Sequence, residues 1–156
     1  MPNLYSHGIE PIQKHEMIFA HTPTGSLWKH WDAEWLHHMG VIAVVDTRYM
    51  LMGILRPYDI LHRLIQQRTS VHHLWPYTHV VEHSWADRLS DFDEIPVADL
   101  VRDRGVVMTT PSNDWVPAMD LFTYHRTPVI WIANQNSQLY GKITWESVSI
   151  HLASHR

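Results

Sequence analysis

Apolar and polar positions along this chain follow one pattern, and the pattern occurs twice. A short β-type run, Met17-Ile18-Phe19, leads through Thr22-Pro23 to Thr24, a candidate helix N-cap. Leu27, Trp31 and Trp35 then stand one turn apart, which predicts a helix. Val41 to Val45 is a continuous apolar run of the kind buried on both faces of a sheet. A polar turn at Asp46-Thr47-Arg48 returns the chain as a second strand ending at Leu55. A last helix begins near Pro57, a residue suited to a first helical turn, and carries Ile60, Leu61, Leu64 and Ile65 on one face.

Sliding the sequence by 88 positions reproduces the pattern without a gap. Thr22-Pro23 falls on Thr110-Pro111, Asp32 on Asp120, His37 on His125, Val41-Ile42 on Val129-Ile130, Leu51 on Leu139 and Gly53 on Gly141. The second copy supplies Val106-Val107-Met108, the N-cap candidate Ser112, and a helix through Trp115, Met119 and Phe122. It continues with the strand Val129 to Ala133, the turn Asn134-Gln135-Asn136 and a strand ending at Ile143. Each copy reads strand–helix–strand–strand–helix in about 50 residues, too few to bury a comfortable core alone. The expected architecture is α/β, two β-α-β-β-α copies packed through their sheets with pseudo-two-fold symmetry. The copies span 7–68 and 95–156. A connector rich in His, Trp and acidic residues fills 69–94, with a helical piece around Trp85 to Leu89.

Composition changes this picture in three places. Zero cysteines exclude disulfides, thiolate chemistry and cysteine-ligated metal sites. Twelve Lys and Arg against sixteen Asp and Glu, with no basic cluster, argue against a nucleic-acid partner. No apolar run reaches the roughly 18 residues of a membrane span, and Met1-Pro2-Asn3 opens nothing like a signal peptide, so a cytoplasmic protein is expected. Fourteen histidines and eight tryptophans are the unusual feature. Protonating all the histidines would carry the formal charge from −4 to +10, which makes solubility and self-association pH-sensitive.

The segments Gly40 to Asp46, Gly53-Ile54-Leu55-Arg56-Pro57-Tyr58-Asp59-Ile60-Leu61, Ile95 to Leu100, Thr110-Pro111 and Gly141-Lys142-Ile143-Thr144 carry a family resemblance. The chain resembles a tandem pair of cystathionine-β-synthase (CBS) domains, a Bateman module, over nearly its whole length apart from the connector and the ends. The resemblance implies a non-catalytic regulatory protein that binds AMP, ADP, ATP or S-adenosylmethionine between the copies, forms a homodimer and acts on a protein partner. No cofactor is obligatory in such a module.

The resemblance also implies a site. The family's ribose motif is Gly, two apolar residues, Thr or Ser, two residues of any type and Asp, whose carboxylate accepts from both ribose hydroxyls. Copy one has Asp59 at the acid position and Arg56 in place of Thr or Ser; copy two keeps Thr144 but has Ser147 in place of Asp. Glu16 would approach the base largely through its backbone, as would Arg104 in copy two. His38 and Met39, and Arg126 and Thr127, would flank base and phosphates. Arg126 is the phosphate candidate of copy two, since a guanidinium grips two oxygens at once. Trp131, where the family often has Pro, would intrude on the second cleft.

Plainer readings stand beside these. An acid in a first helical turn suits the helix dipole without any ligand, and Thr144 is also an N-cap candidate. The Trp28, Trp31 and Trp35 stripe fits core or dimer packing better than base stacking. His79-Val80-Val81-Glu82-His83 spells a zinc-peptidase string, but it falls in the connector of a histidine-rich chain. No nucleophile–base pair or spaced carboxylate pair accompanies it, so an enzyme is not expected and no metal site is assigned. Two alternatives to a nucleotide sensor remain: a ligand-free dimerisation scaffold, and a metal- or pH-responsive protein using His72, His73, His79 and His83.

Overall fold

A computed structural model describes residues 8–30, 40–69, 90–108 and 115–154. The predicted central strands form as β3 (Ile42–Val45) and β6 (Val129–Ala133), apolar on both faces. Around them lie β1 (Glu10–Pro11), β2 (Met17–Phe19), β4 (Leu51–Leu55), β5 (Val107–Met108) and β7 (Leu139–Thr144). The helices are α1 (Pro57–Thr69), α2 (Val116–His125) and α3 (Trp145–Ser154), and 3-10 turns cover Lys14–Glu16, Thr24–His30 and Val97–Leu100. Trp31, Trp35 and Ser112, the rest of the first predicted helix, and the connector histidines with the expected helical piece lie outside the described residues.

Each copy builds one sheet. In the first, β2 runs parallel and β4 antiparallel to β3; in the second, β5 runs parallel and β7 antiparallel to β6. In the antiparallel pairs and the turns that join them the repeat holds at single-residue detail. Both antiparallel pairs shift register at matching points, Val44/Val45 and Ile132/Ala133. Asp46 Oδ1 accepts from the N–H groups of Arg48 and Met50, and Asn134 Oδ1 accepts from those of Asn136 and Gln138. Such side-chain-to-backbone bonds make an Asx turn. Tyr49 and Ser137 sit in the left-handed region at φ 64° and 63°. Met50 and Gln138, the same position in each copy, bridge each other, so that contact lies on the pseudo-two-fold axis.

The double burial of the central strands has a simple cause. Ile42 and Val44 face their own copy's helix and turns, in a cluster with Leu27, Leu55 and Ile60. Ala43 and Val45 point the other way, into a layer shared with Trp131, Ala133, Ile54 and Leu139. Ile130 and Ile132 join the second copy's own cluster with Met108, Trp115, Phe122, Ile143 and Val148.

Packing crosses the limits of the copies. Phe92, Val97 and Leu100 complete the first copy's core, and Ile9 packs on that of the second. Thr24 was a candidate N-cap; instead its hydroxyl and N–H both donate to the carbonyl of Ile95, which draws the 95–98 strip onto the first copy. At the sheet edges β1 pairs antiparallel with β7, and Asp103 bridges Ile54 of β4. Glycine makes both approaches feasible. A Cβ at Gly53 would stand 2.2 Å from Val101 Cγ1 and 2.8 Å from the carbonyl of Asp103, and one at Gly141 would stand 2.6 Å from Ile9 Cγ2.

Candidate functional site

The candidate groups of each copy collect where its two central strands meet the start of its last helix. Ile42 pairs with Leu55, which sets Gly40-Val41 beside Arg56 and the first turn of α1. Val129 pairs with Thr144, and the N–H of Trp145 donates to the carbonyl of Pro128, which sets Thr127-Pro128 beside the first turn of α3. Helix starts carry unpaired N–H groups and the positive end of the dipole, so both places favour an anion.

In copy one the centre is Asp59, whose side chain is only 2% exposed. Its Oδ2 accepts from the backbone N–H of Arg56 at 2.8 Å and from Arg56 Nε at 3.5 Å. An acid three residues into the turn reaches back to the residue before the helix, half of a capping box. Arg56, 42% exposed, also extends Nη2 to Asp103 Oδ2 at 3.8 Å. Asp103 arrives on the crossing segment and is itself held, with Oδ1 accepting from Gly105 N–H at 2.8 Å. One guanidinium therefore lies between two carboxylates from different copies. Asp59 Oδ1 takes no hydrogen bond among the described residues. That oxygen, beside a partly exposed cation and a helix start, suits a diol next to a phosphate.

In copy two Thr144 sits at the N-cap, as its plainer reading has it: Oγ1 accepts from Ser147 N–H at 3.1 Å. The two hydroxyls are 2.9 Å apart, and Ser147 Oγ donates to Glu10 Oε1 at 2.6 Å. Thr127 Oγ1 is engaged with both polar groups of Val129's backbone, which pins the start of β6. Arg126 ends α2 in a left-handed conformation at φ 51°, its N–H on the carbonyl of Phe122 and its side chain exposed to solvent. Thr127, Thr144 and Ser147 are thus brought together at one end of the sheet, with Arg126 next in the chain.

Glu16 is held through its side chain. Its carboxylate forms an ion pair with Lys142 Nζ of β7 and accepts from Gln13 N–H at 3.3 Å. The side chain is committed to a bridge between the copies, and the Glu16 N–H donates to the carbonyl of Gln13 at 3.0 Å. Trp131 lies between the sheets, 1% exposed, where its ring fills the layer opposite Ala43. His38 and Met39 lie outside the described residues. Among the described residues, no group of three His, Asp or Glu side chains could hold a metal ion. Nor is any described helix long and apolar enough to cross a membrane.

Two residues escape a reading by repeat alone: Asp103 and Glu10. Both precede the first strand of a copy and act on the other copy, and position-by-position comparison sets Glu10 against Ala98 and Asp103 against His15. The crossing itself is the missing information.

No family model matches the sequence, and no curated protein matches it. Solved structures do. The hypothetical conserved protein GK1048 of Geobacillus kaustophilus superposes over 100% of both chains at a TM-score of 0.68 and 15% identity. CBSX2 in complex with AMP superposes over 100% of both chains at 0.64 and 16% identity. The cytosolic domain of the Mg2+ channel MgtE in complex with ATP matches 96% of this chain and 48% of its own, at 0.60 and 13% identity. The fold is that of a tandem pair of CBS domains.

Proposed function

We propose that this tandem CBS pair is a regulatory, non-catalytic protein that binds an adenine nucleotide at Asp59 and passes its occupancy to a partner. The observation that carries the reading is the carboxylate itself. Asp59 stands at the family's ribose position with one oxygen held by Arg56 and the other open. A ribose takes Oδ1, and a phosphate draws the Arg56 guanidinium away from Asp103, which joins ligand binding to the contact between the copies. His38 and Met39 would flank the base in this cleft, as Arg126, Thr127 and Thr144 would in the second. That CBSX2 is found with AMP and MgtE with ATP supports an adenine nucleotide; S-adenosylmethionine is the alternative adenosine ligand.

The test is thermal stability against AMP, ADP, ATP and S-adenosylmethionine, for the wild type and for Asp59→Ala. A ligand at about 100 times its Kd adds roughly 2.7 kcal/mol, a shift of several degrees. The expected result is a shift with one nucleotide that Asp59→Ala reduces. No shift with any of them overturns the reading.

A scaffold role is the second reading, favoured by apolar side chains that α2 and α3 leave exposed: Val116, Tyr124, Trp145, Ile150 and Leu152. We assign that face to a homodimer in the cytoplasm. Sedimentation is expected to give a dimer that Ile150→Glu dissociates, whether or not a nucleotide binds.

A further inference from the structure

We infer that Glu10 is the diol-binding carboxylate of the second cleft, supplied across the copies in place of the missing acid at Ser147; this rests on the nucleotide reading above. Ser147 occupies in α3 the place Asp59 occupies in α1, and a hydroxyl cannot accept from two ribose hydroxyls as an ionised carboxylate does. The structure puts a carboxylate one hydrogen bond from that place. Glu10 lies on β1, opposite Lys142 in the antiparallel register with β7, and its Oε1 takes the Ser147 hydroxyl at 2.6 Å.

The charges around it leave this carboxylate available. Lys142, its register partner, sends its ammonium to Glu16 instead. Glu10 is half-buried, and Oε2 takes no hydrogen bond or ion pair among the described residues. Asp59 has the same arrangement, with one oxygen tied to its own helix start and the other open. At the first cleft the counterpart of Glu10 is Asp103, which bridges Ile54 as Glu10 pairs with Lys142, but its Oδ2 faces the Arg56 guanidinium and not a helix hydroxyl. The first cleft thus has an acid on the helix beside one on the crossing segment, and the second has only the acid on the crossing strand. Ser147 acts as a positioning residue that holds Oε1, and Thr144 steadies the Ser147 hydroxyl.

The experiment is calorimetric titration with AMP of the wild type, Glu10→Gln, Asp59→Asn and Glu10→Gln/Ser147→Asp. Two AMP per chain are expected for the wild type. Glu10→Gln weakens one of them about tenfold to a hundredfold, the range of a lost charged hydrogen bond, and Asp59→Asn weakens the other. Ser147→Asp in the Glu10→Gln background restores the first. A second arm needs no change at Glu10: in Asp59→Asn, 2′,3′-dideoxyadenosine monophosphate binds at least tenfold more weakly than AMP. Unchanged binding in Glu10→Gln, or equal binding of the two nucleotides in Asp59→Asn, overturns the assignment while leaving the Asp59 site standing. No AMP bound by any form, wild type included, overturns both.

Discussion

Ser137 and Tyr49 show how a single residue carries the repeat. Each closes the turn between two strands with φ above 60°, a region where an L side chain costs roughly 1 to 2 kcal/mol. Tyr49 recovers part of that by setting its ring edge-on to Phe19 at 5.4 Å. Ser137 is exposed and has no such contact to lose. Ser137→Gly is therefore expected to raise stability by about 0.5 to 1 kcal/mol in urea unfolding, with the m-value unchanged. Asp59 is also a residue with two duties, since its bond to the Arg56 N–H belongs to the helix start. Asparagine keeps an acceptor there while losing the charge that a ribose uses, which is why Asp59→Asn separates binding from folding.

At the scale of elements, the glycines that begin each ribose motif are structural first. Gly53 and Gly141 lie in the strands against which the other copy's crossing segment is pressed. Gly53→Ala drives a Cβ into a side chain and a backbone carbonyl, so a loss of about 2 to 3 kcal/mol is expected. Gly141→Ala meets the branch methyl of Ile9 at 2.6 Å and the carbonyl of Glu10 at 3.1 Å, both looser than the contacts at Gly53, and a smaller loss of about 1 to 2 kcal/mol is expected. Chemical denaturation of the two variants checks the order as well as the sizes. Apart from β1, the strands, the turns and α1 were legible in the sequence, because continuous apolar runs, Asx chemistry and a proline at a helix start are local signals. The fate of Thr24 and the roles of Glu10 and Asp103 were not. A hydroxyl before a helix reads as a cap until a carbonyl 71 positions away claims it.

The whole molecule is a symmetric frame with an asymmetric filling. Ala43 and Trp131 occupy one position of the repeat and meet in the layer between the sheets. A large ring opposite a methyl group lets the two sheets interlock, and it also gives the two faces of the module different interiors. Site chemistry follows the same asymmetry, with Asp59 on one side and Glu10 with Ser147 on the other.

The β1–β7 pairing, described above as an edge contact, also sets the order of events in time. Glu10 and Ser147 are 137 positions apart, so their contact closes almost the entire chain into one loop. Loop closure of that length brings its reward last, after each copy has collected its own turns and helix. The N-terminal strand is then the final piece to dock and the first to leave. Ile9→Ala is accordingly expected to accelerate unfolding severalfold and leave the refolding rate nearly unchanged in stopped-flow chevrons. A ligand held by Glu10 would therefore act as a brake on unfolding.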